Sequence, residues 1–217
     1  MPVLGITGGV ACGKSSFVDA LLSFLPDSQV FSADAVVSQL VEHDPEVRNG
    51  VLNLLGTGAF SVDGTYNRPF VRERIFAEPA LRAGLDSVFH PRVRALWSRL
   101  AEQANRSGRW LFAEIPLLFE TGGESLCDRV VTVACSPELQ WHRLTVLRGL
   151  SGTTASQIRV AQTSLEEKME RADHLIWNDF SFPCLQRQAG LCAAWISRAY
   201  PSHGSPAPSR PGSGSKP

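Results

Sequence analysis

Lysine is almost missing from this chain of 217 residues: it stands only at positions 14, 168 and 216, and the other eighteen of the 21 basic residues are arginines. Acids also number 21, so the formal net charge is zero and no overall basic field exists to hold nucleic acid or an anionic membrane. Cysteine is sparse too. Cys12, Cys127, Cys135, Cys184 and Cys192 contain no CxxC spacing for a metal or redox site, and their odd number argues against a disulfide framework. Buried free thiols in a reducing cytosol are the expectation. No run approaches the roughly 18 uninterrupted apolar residues of a membrane span. The opening MPVLGITGG has neither the basic start nor the long apolar run of a secretory signal. No internal repeat is visible. What is present, 43% hydrophobic and 19% charged residues, fits one soluble, cytoplasmic globular domain with a sizeable core and no obligatory protein partner.

The apolar pattern alternates between two periods. PVLGIT reads as a buried parallel strand, and KSSFVDALLSFL as a helix presenting Phe17, Val18, Leu21, Leu22 and Leu25. SQVFSAD reads as a second strand ending in an acid, with AVVSQLVE helical after it. From His43 to about Arg82 the strings GTGAF and DGTY break the pattern, leaving short helices at most. The helical stretch from Pro79 to Arg106 is expected to break at His90–Pro91, because proline disfavours helix in the residue before it. RWLFAEIP and DRVVTVA are further strands. SPELQWHRLTVLR opens with a Ser cap, Pro at the first helical position and then Glu, a good helix start. TTASQIRVAQTSLEEKMERA suggests two short helices, DHLIWN a last strand and FPCLQRQAGLCAAWISRAY a last helix. This alternation predicts an α/β fold with a parallel sheet covered on both faces. From Pro201 onward only Pro, Ser, Gly, Ala, His, Arg and Lys occur, so residues 201–217 are expected to be a disordered tail.

The scarcity of lysine makes Lys14 informative. It lies in GGVACGKS, Gly8 to Ser15, which fits GxxxxGK[ST] and sits between a predicted strand and a predicted helix, the context that motif requires. Backbone N–H groups of such a loop and the helix N-terminus point at phosphate oxygens. Gly8 and Gly13 permit a close backbone approach. Lys14 can reach the β and γ phosphates, and the Ser15 hydroxyl can ligate Mg²⁺. Neither an NKxD guanine signature nor a DxxG switch motif is present where one would belong, and little length remains for a motor's coupling elements. A compact kinase for a small acceptor fits what is left. Asp34, placed at the end of the second predicted strand, either takes a proton from an acceptor hydroxyl or caps the helix after it. In EIPLLFE, Glu114 either holds Mg²⁺ through water or serves the structure, and Glu120 either meets substrate or caps a short helix.

Together these strings resemble the dephospho-CoA kinases from about residue 3 to residue 178. The phosphate loop alone is unspecific. HPRVR, PLLFE and the closing EEK…AD..I.N at matching spacing are more diagnostic, and SADAVV, NRPFVRERIFAEP and IRVAQ agree with them. The resemblance implies transfer of the ATP γ-phosphate to the ribose 3′-hydroxyl of dephospho-CoA, the last step of coenzyme A biosynthesis, with ATP and Mg²⁺ required. It implies a three-layer P-loop nucleoside-triphosphate hydrolase-like fold with two insertions on one kinase domain, residues 1–200. The core is 1–49, 105–142 and 163–200; a helical acceptor-binding insertion spans about 50–104 and a lid about 143–162.

By the same resemblance Asp34 is the general base and a substrate contact. Lys14 and the lid arginines Arg143 and Arg148 are catalytic. Gly8, Gly9, Ala11, Cys12, Gly13, Lys14, Ser15, Ser16 and Asn178 bind the nucleotide. Arg68, Arg72, His90, Arg94 and Arg159 bind the acceptor, with Arg74 in the same region, and Ser15 and Glu114 hold the metal. The chain departs from the family pattern at Cys12, where serine is common; at Glu114, where aspartate is frequent; at Asp179, where glycine is usual; and in a lid poorer in acids. The alternatives are another P-loop nucleoside or nucleotide kinase and a non-catalytic ATP-binding module.

Overall fold

The computed structural model describes residues 3–200, so the tail expected to be disordered lies outside the described residues. Its centre is a sheet of five strands, all parallel: β1 (Val3–Gly8), β2 (Gln29–Ser32), β3 (Leu111–Glu114), β4 (Arg129–Ala134) and β5 (His174–Trp177), in the spatial order β2-β3-β1-β4-β5. All six residues of β1 are buried, as a central strand covered on both faces demands. The register aligns Ile6 with Glu114 and Ser32 with Glu114, and it aligns Gly8 with Val133 and Ala134 with Trp177. Every strand therefore delivers its carboxyl end to one edge. Chain direction across the sheet reverses between β1 and β3. The loops after those two strands consequently part to leave a crevice, the usual place for a ligand in such sheets.

Two helical layers cover the sheet. On one face α1 (Lys14–Leu22) and α9 (Phe182–Ala199) pack Phe17, Leu21, Ala189 and Ile196 against Leu4, Ile6 and Val131. On the other, the second half of α5 (Pro79–Ser107) sets Trp97, Ala101 and Ala104 on Phe31, Leu111 and Val130. A third cluster lies away from the sheet. In it α2 (Ala33–His43), α3 (Pro45–Leu55), α4 (Arg68–Ala77) and the first half of α5 bury Val41, Val47, Val51, Val71, Leu85 and Phe89. The chain then runs through α6 (Pro137–His142), which continues as a π-helical turn over Arg143–Leu147, then α7 (Gly152–Val160) and α8 (Leu165–Arg171). Among the described residues no helix is long and apolar enough to cross a membrane.

Three local expectations are corrected. The segment from His43 to Arg82 contains two well-formed helices of 11 and 10 residues, because Asp44 and Asn67 cap them and a proline stands in the first turn of each, Pro45 at the first position and Pro69 at the second. The predicted break at His90–Pro91 does not occur: α5 runs unbroken for 29 residues with Pro91 inside. Phe89 anchors it in the third cluster and Trp97 on the sheet, so packing on both sides of the proline outweighs its local preference. Arg92 Nη1 also donates to Val88 O at 3.2 Å on the turn that proline disturbs. Asp34 stands in the first turn of α2 and not at a strand end; the cap of that helix is Ser32, whose hydroxyl accepts from Ala35 N.

Candidate active site

The loop after β1 turns back on itself before α1. Gly13 has φ +94°, a left-handed conformation that favours glycine, and a Cβ there would strike Asn178 Nδ2. Ala11 takes φ 59° without that freedom, a strained position of the sort found at binding loops. Lys14 is the first residue of α1. It is buried, and its ammonium folds over the loop to donate to Gly9 O at 2.9 Å and Gly8 O at 3.3 Å. Burial pulls its pKa below the usual lysine value, while the nearby Cys12, Glu114 and Asp34 work to keep it charged. Ser15 donates its hydroxyl to Glu114 Oε1 at 2.7 Å, so the helix start and the end of β3 meet across the crevice.

The opposite rim latches onto this loop. Asn178, just past β5, donates from Nδ2 to Cys12 O at 2.8 Å. Arg143 donates to Ala11 O at 3.3 Å and to Asn178 O at 3.1 Å. Asp179 accepts from Ser136 N at 2.7 Å, so the residue standing where glycine is usual fixes the turn after β5 to the start of α6. Cys12 points away from the crevice. Its thiol is 3.5 Å from that of Cys135, and this hydrogen bond lowers its pKa to about 7 while raising that of Cys135. Gln140 donates to Val10 O at 2.9 Å from the same side. No disulfide joins any of the five cysteines, and four are buried.

Two clefts result. The first, about 670 Å³, is lined by loop residues Val10, Ala11 and Gly13 to Ser16, by Asp34, Glu114 and Asn178, and by Arg82, Arg143 and Arg148. The second, about 520 Å³, is mostly apolar and is walled by Val37, Phe89, Trp97 and Ile115, with His90, Arg94 and Glu120 as polar points. Asp34 lines both. The structure thus brings Lys14, Ser15, Ser16, Asp34, Glu114, Arg143, Arg148 and Asn178 to one cleft, and His90 and Arg94 to the adjoining one. His90 sits 3.6 Å from Asp86, one helical turn away, and Arg94 donates to Thr121 O.

Other expected residues fall elsewhere. Arg68 donates to Ser38 Oγ in a separate polar groove, Arg72 is exposed on α4 and lines neither cleft, and Arg74 pairs with Glu78. Arg159 lies on the far side of the 143–162 arm with Gly9, and Gly8 and Cys12 line neither cleft. Gly8 acts through its backbone, φ +141°, where a Cβ would run into Val133 O. Conversely, Arg82, Gln140, Gln162 and Lys168 were not expected in or around the site. Arg82 carried no sequence signal, one arginine among eighteen. Lys168 carried one, being the lysine of the EEK string and, besides Lys14, the only lysine within the described residues.

A strand, a glycine-rich phosphate loop, arginines facing the cleft and an adjoining second cleft define the class: this is a P-loop kinase. The sequence pattern of dephospho-CoA kinase matches residues 2–183. A dephospho-CoA kinase of Symbiobacterium thermophilum is 36% identical over 208 residues, covering 95% of this chain and 85% of that relative. The solved dephospho-CoA kinase of Campylobacter jejuni superposes with a TM-score of 0.65 at 24% identity, over 90% of this chain and 97% of that one. A shikimate kinase of Acinetobacter baumannii shares the fold at TM-score 0.54 and 13% identity, over 93% of this chain and 96% of that one. The chain belongs to the dephospho-CoA kinase family.

Proposed function

We propose that this kinase transfers the γ-phosphate of ATP to the ribose 3′-hydroxyl of dephospho-CoA, completing coenzyme A, with ATP in the first cleft and the acceptor in the second. The observation that carries the reading is the position of Asp34, which lines both clefts and so stands where donor and acceptor must meet. Its carboxylate orients the acceptor hydroxyl and takes its proton. Lys14, poised over the loop carbonyls, exchanges those contacts for the β and γ phosphate oxygens. Arg143 and Arg148, on a lid spanning 143–162, neutralise charge on the migrating phosphoryl group and exclude water. The helical unit around the third core cluster holds the acceptor, with His90 and Arg94 as its polar contacts; Arg68, Arg72 and Arg159 are left to the surface.

Ser15 Oγ and Glu114 Oε1, 2.7 Å apart at the crevice, suit a hard divalent cation that takes few protein oxygens and completes its shell from phosphates and water. When bound, Mg²⁺ supplies neutralisation of the phosphate charge. Five cysteines without a disulfide suit a reducing compartment, and we place the enzyme in the cytoplasm.

The test offers the purified chain Mg·ATP with dephospho-CoA, nucleoside monophosphates and nucleosides in parallel, following ADP release and product mass. Coenzyme A formation is expected. Silence with dephospho-CoA alongside turnover of a different acceptor overturns the assignment, and ATP binding without turnover of any of them marks a binding module instead.

A further inference from the structure

Lys168 is wholly enclosed, with no exposed surface, yet it reaches neither cleft. Its ammonium lies 2.9 Å from Glu120 Oε1 and donates to Pro116 O at 2.7 Å. Thr132 Oγ1 on β4 donates to its backbone carbonyl at 2.8 Å, which ties α8 to the sheet. Glu120 in turn accepts from Thr163 N at 2.8 Å. One buried cation therefore connects the loop after β3, one of the acids lining the apolar cleft and, through it, the first residue past the 143–162 arm.

The neighbouring residues complete a junction. Gln162 Oε1 accepts from Val10 N at 3.1 Å, on the phosphate loop. Ala161 O accepts from Arg82 Nη2 at 3.0 Å, on α5. Pro116 O also accepts from Thr7 Oγ1 at 3.2 Å, next to that loop on β1. Three consecutive residues, Ala161 to Thr163, are thus fastened to α5, to the phosphate loop and to Glu120 respectively, and only the last fastening depends on a buried charge. Only the cation of this pair is enclosed, Glu120 keeping 20% of its side chain exposed, and such a pair seldom stabilises a protein more than an apolar pair of the same volume would. Its distinctive effect is to fix geometry, because an ammonium must satisfy its protons at particular oxygens.

We propose that Lys168 is a positioning residue that, through Glu120, sets the distal end of the lid in register with the acceptor-facing loop at Pro116 and Leu117. The proposal rests on the reading of residues 143–162 as the lid and of the apolar cleft as the acceptor site. Without the tether the lid would still be fastened at Ala161 and Gln162. It would meet the donor loop but lose its alignment with the acceptor, and water would gain access to the γ-phosphate.

The experiment compares wild type, Lys168→Met and the milder Glu120→Gln, which retains a carbonyl oxygen for Thr163 N–H. Dephospho-CoA phosphorylation and acceptor-independent ATP hydrolysis are measured side by side on protein whose folded fraction is fixed by circular dichroism. Transfer by Lys168→Met is expected to fall about 10²-fold, the scale of a small misplacement of reacting groups, with hydrolysis undiminished and a smaller effect of the same sign in Glu120→Gln. A merely structural role lowers transfer and hydrolysis by one common factor; that result, or unchanged transfer in both variants, overturns the proposal. If Lys168→Met does not fold, Glu120→Gln decides by the same ratio. Wild type that fails to phosphorylate dephospho-CoA points instead to the functional reading on which the proposal rests.

Discussion

Asp34 faces both clefts, although its backbone belongs to the first turn of a helix. That position holds the carboxylate by a rigid element and points it along the seam between the clefts. Asp34→Asn preserves size and removes the base; turnover should fall by roughly 10²–10⁴, the usual worth of a positioned general base, with ATP affinity by calorimetry unchanged. Turnover near wild type would remove Asp34 from the chemistry. Residues that a motif reports through their own side chains were the most legible. Lys14 and Ser15 announced themselves by spacing and Asp34 by the family resemblance, and the structure gathers them at one cleft. Cys12 shows the limit. Its place in the loop implied proximity to phosphate, but its side chain turns inward to Cys135, a partner 123 positions away that no local pattern reveals.

At the scale of elements, α5 is the most informative. Proline inside a helix removes one hydrogen bond and crowds the preceding turn, at a cost of about 3 kcal/mol. Since α5 persists through Pro91, packing at Phe89 and Trp97 must offset that cost. Pro91→Ala should therefore raise stability by about 1–3 kcal/mol in chemical denaturation, and an unchanged midpoint would mean that the turn already accommodates the ring. Reading the sequence locally gave a break here because the balancing contacts are tertiary. The same reasoning allowed short helices at most where α3 and α4 stand and could not place them, because their starts are fixed by Asp44 and Asn67 as caps that resemble ordinary turn residues in sequence.

The Glu120 tether carries a pH signature at this scale. Burial works to raise the Glu120 pKa, but hydrogen bonds from Lys168 and from the Thr163 amide outweigh it and hold the carboxyl below the ordinary 4.5. A carboxyl whose folded pKa is depressed contributes stability that is fully present above its unfolded value and is lost as pH falls through the folded one. The stability gap between wild type and Glu120→Gln should accordingly be flat above pH 4.5 and shrink below it, measured by denaturant titration at a series of pH values.

Across the whole molecule, hydrophobic burial is divided. Two clusters share the sheet, whereas the buried residues of the third, from Val41 to Phe89, all lie on helices and are joined to the rest through α2 and α5. Such a unit should open without the sheet opening. Native-state hydrogen exchange is expected to show α3 and α4 exchanging through a lower-energy opening than β1 and β4, with dephospho-CoA slowing exchange there and ATP slowing it at the phosphate loop. Uniform protection across both units would contradict this division. The parallel sheet was legible because alternating periods leave few other architectures, whereas the separateness of the third cluster was not, since it depends on which apolar faces meet.

The lysines have a further use. Within the described residues both are enclosed, Lys14 at 8% exposure and Lys168 at none. The outer surface of that body therefore offers arginine but no lysine amine to an acylating reagent. Acyl marks at position 14 or 168, counted by peptide mass spectrometry, would log the occasions on which the phosphate loop or the tether comes open. The protein's near-lack of one amino acid makes it a chemical recorder of its own motions.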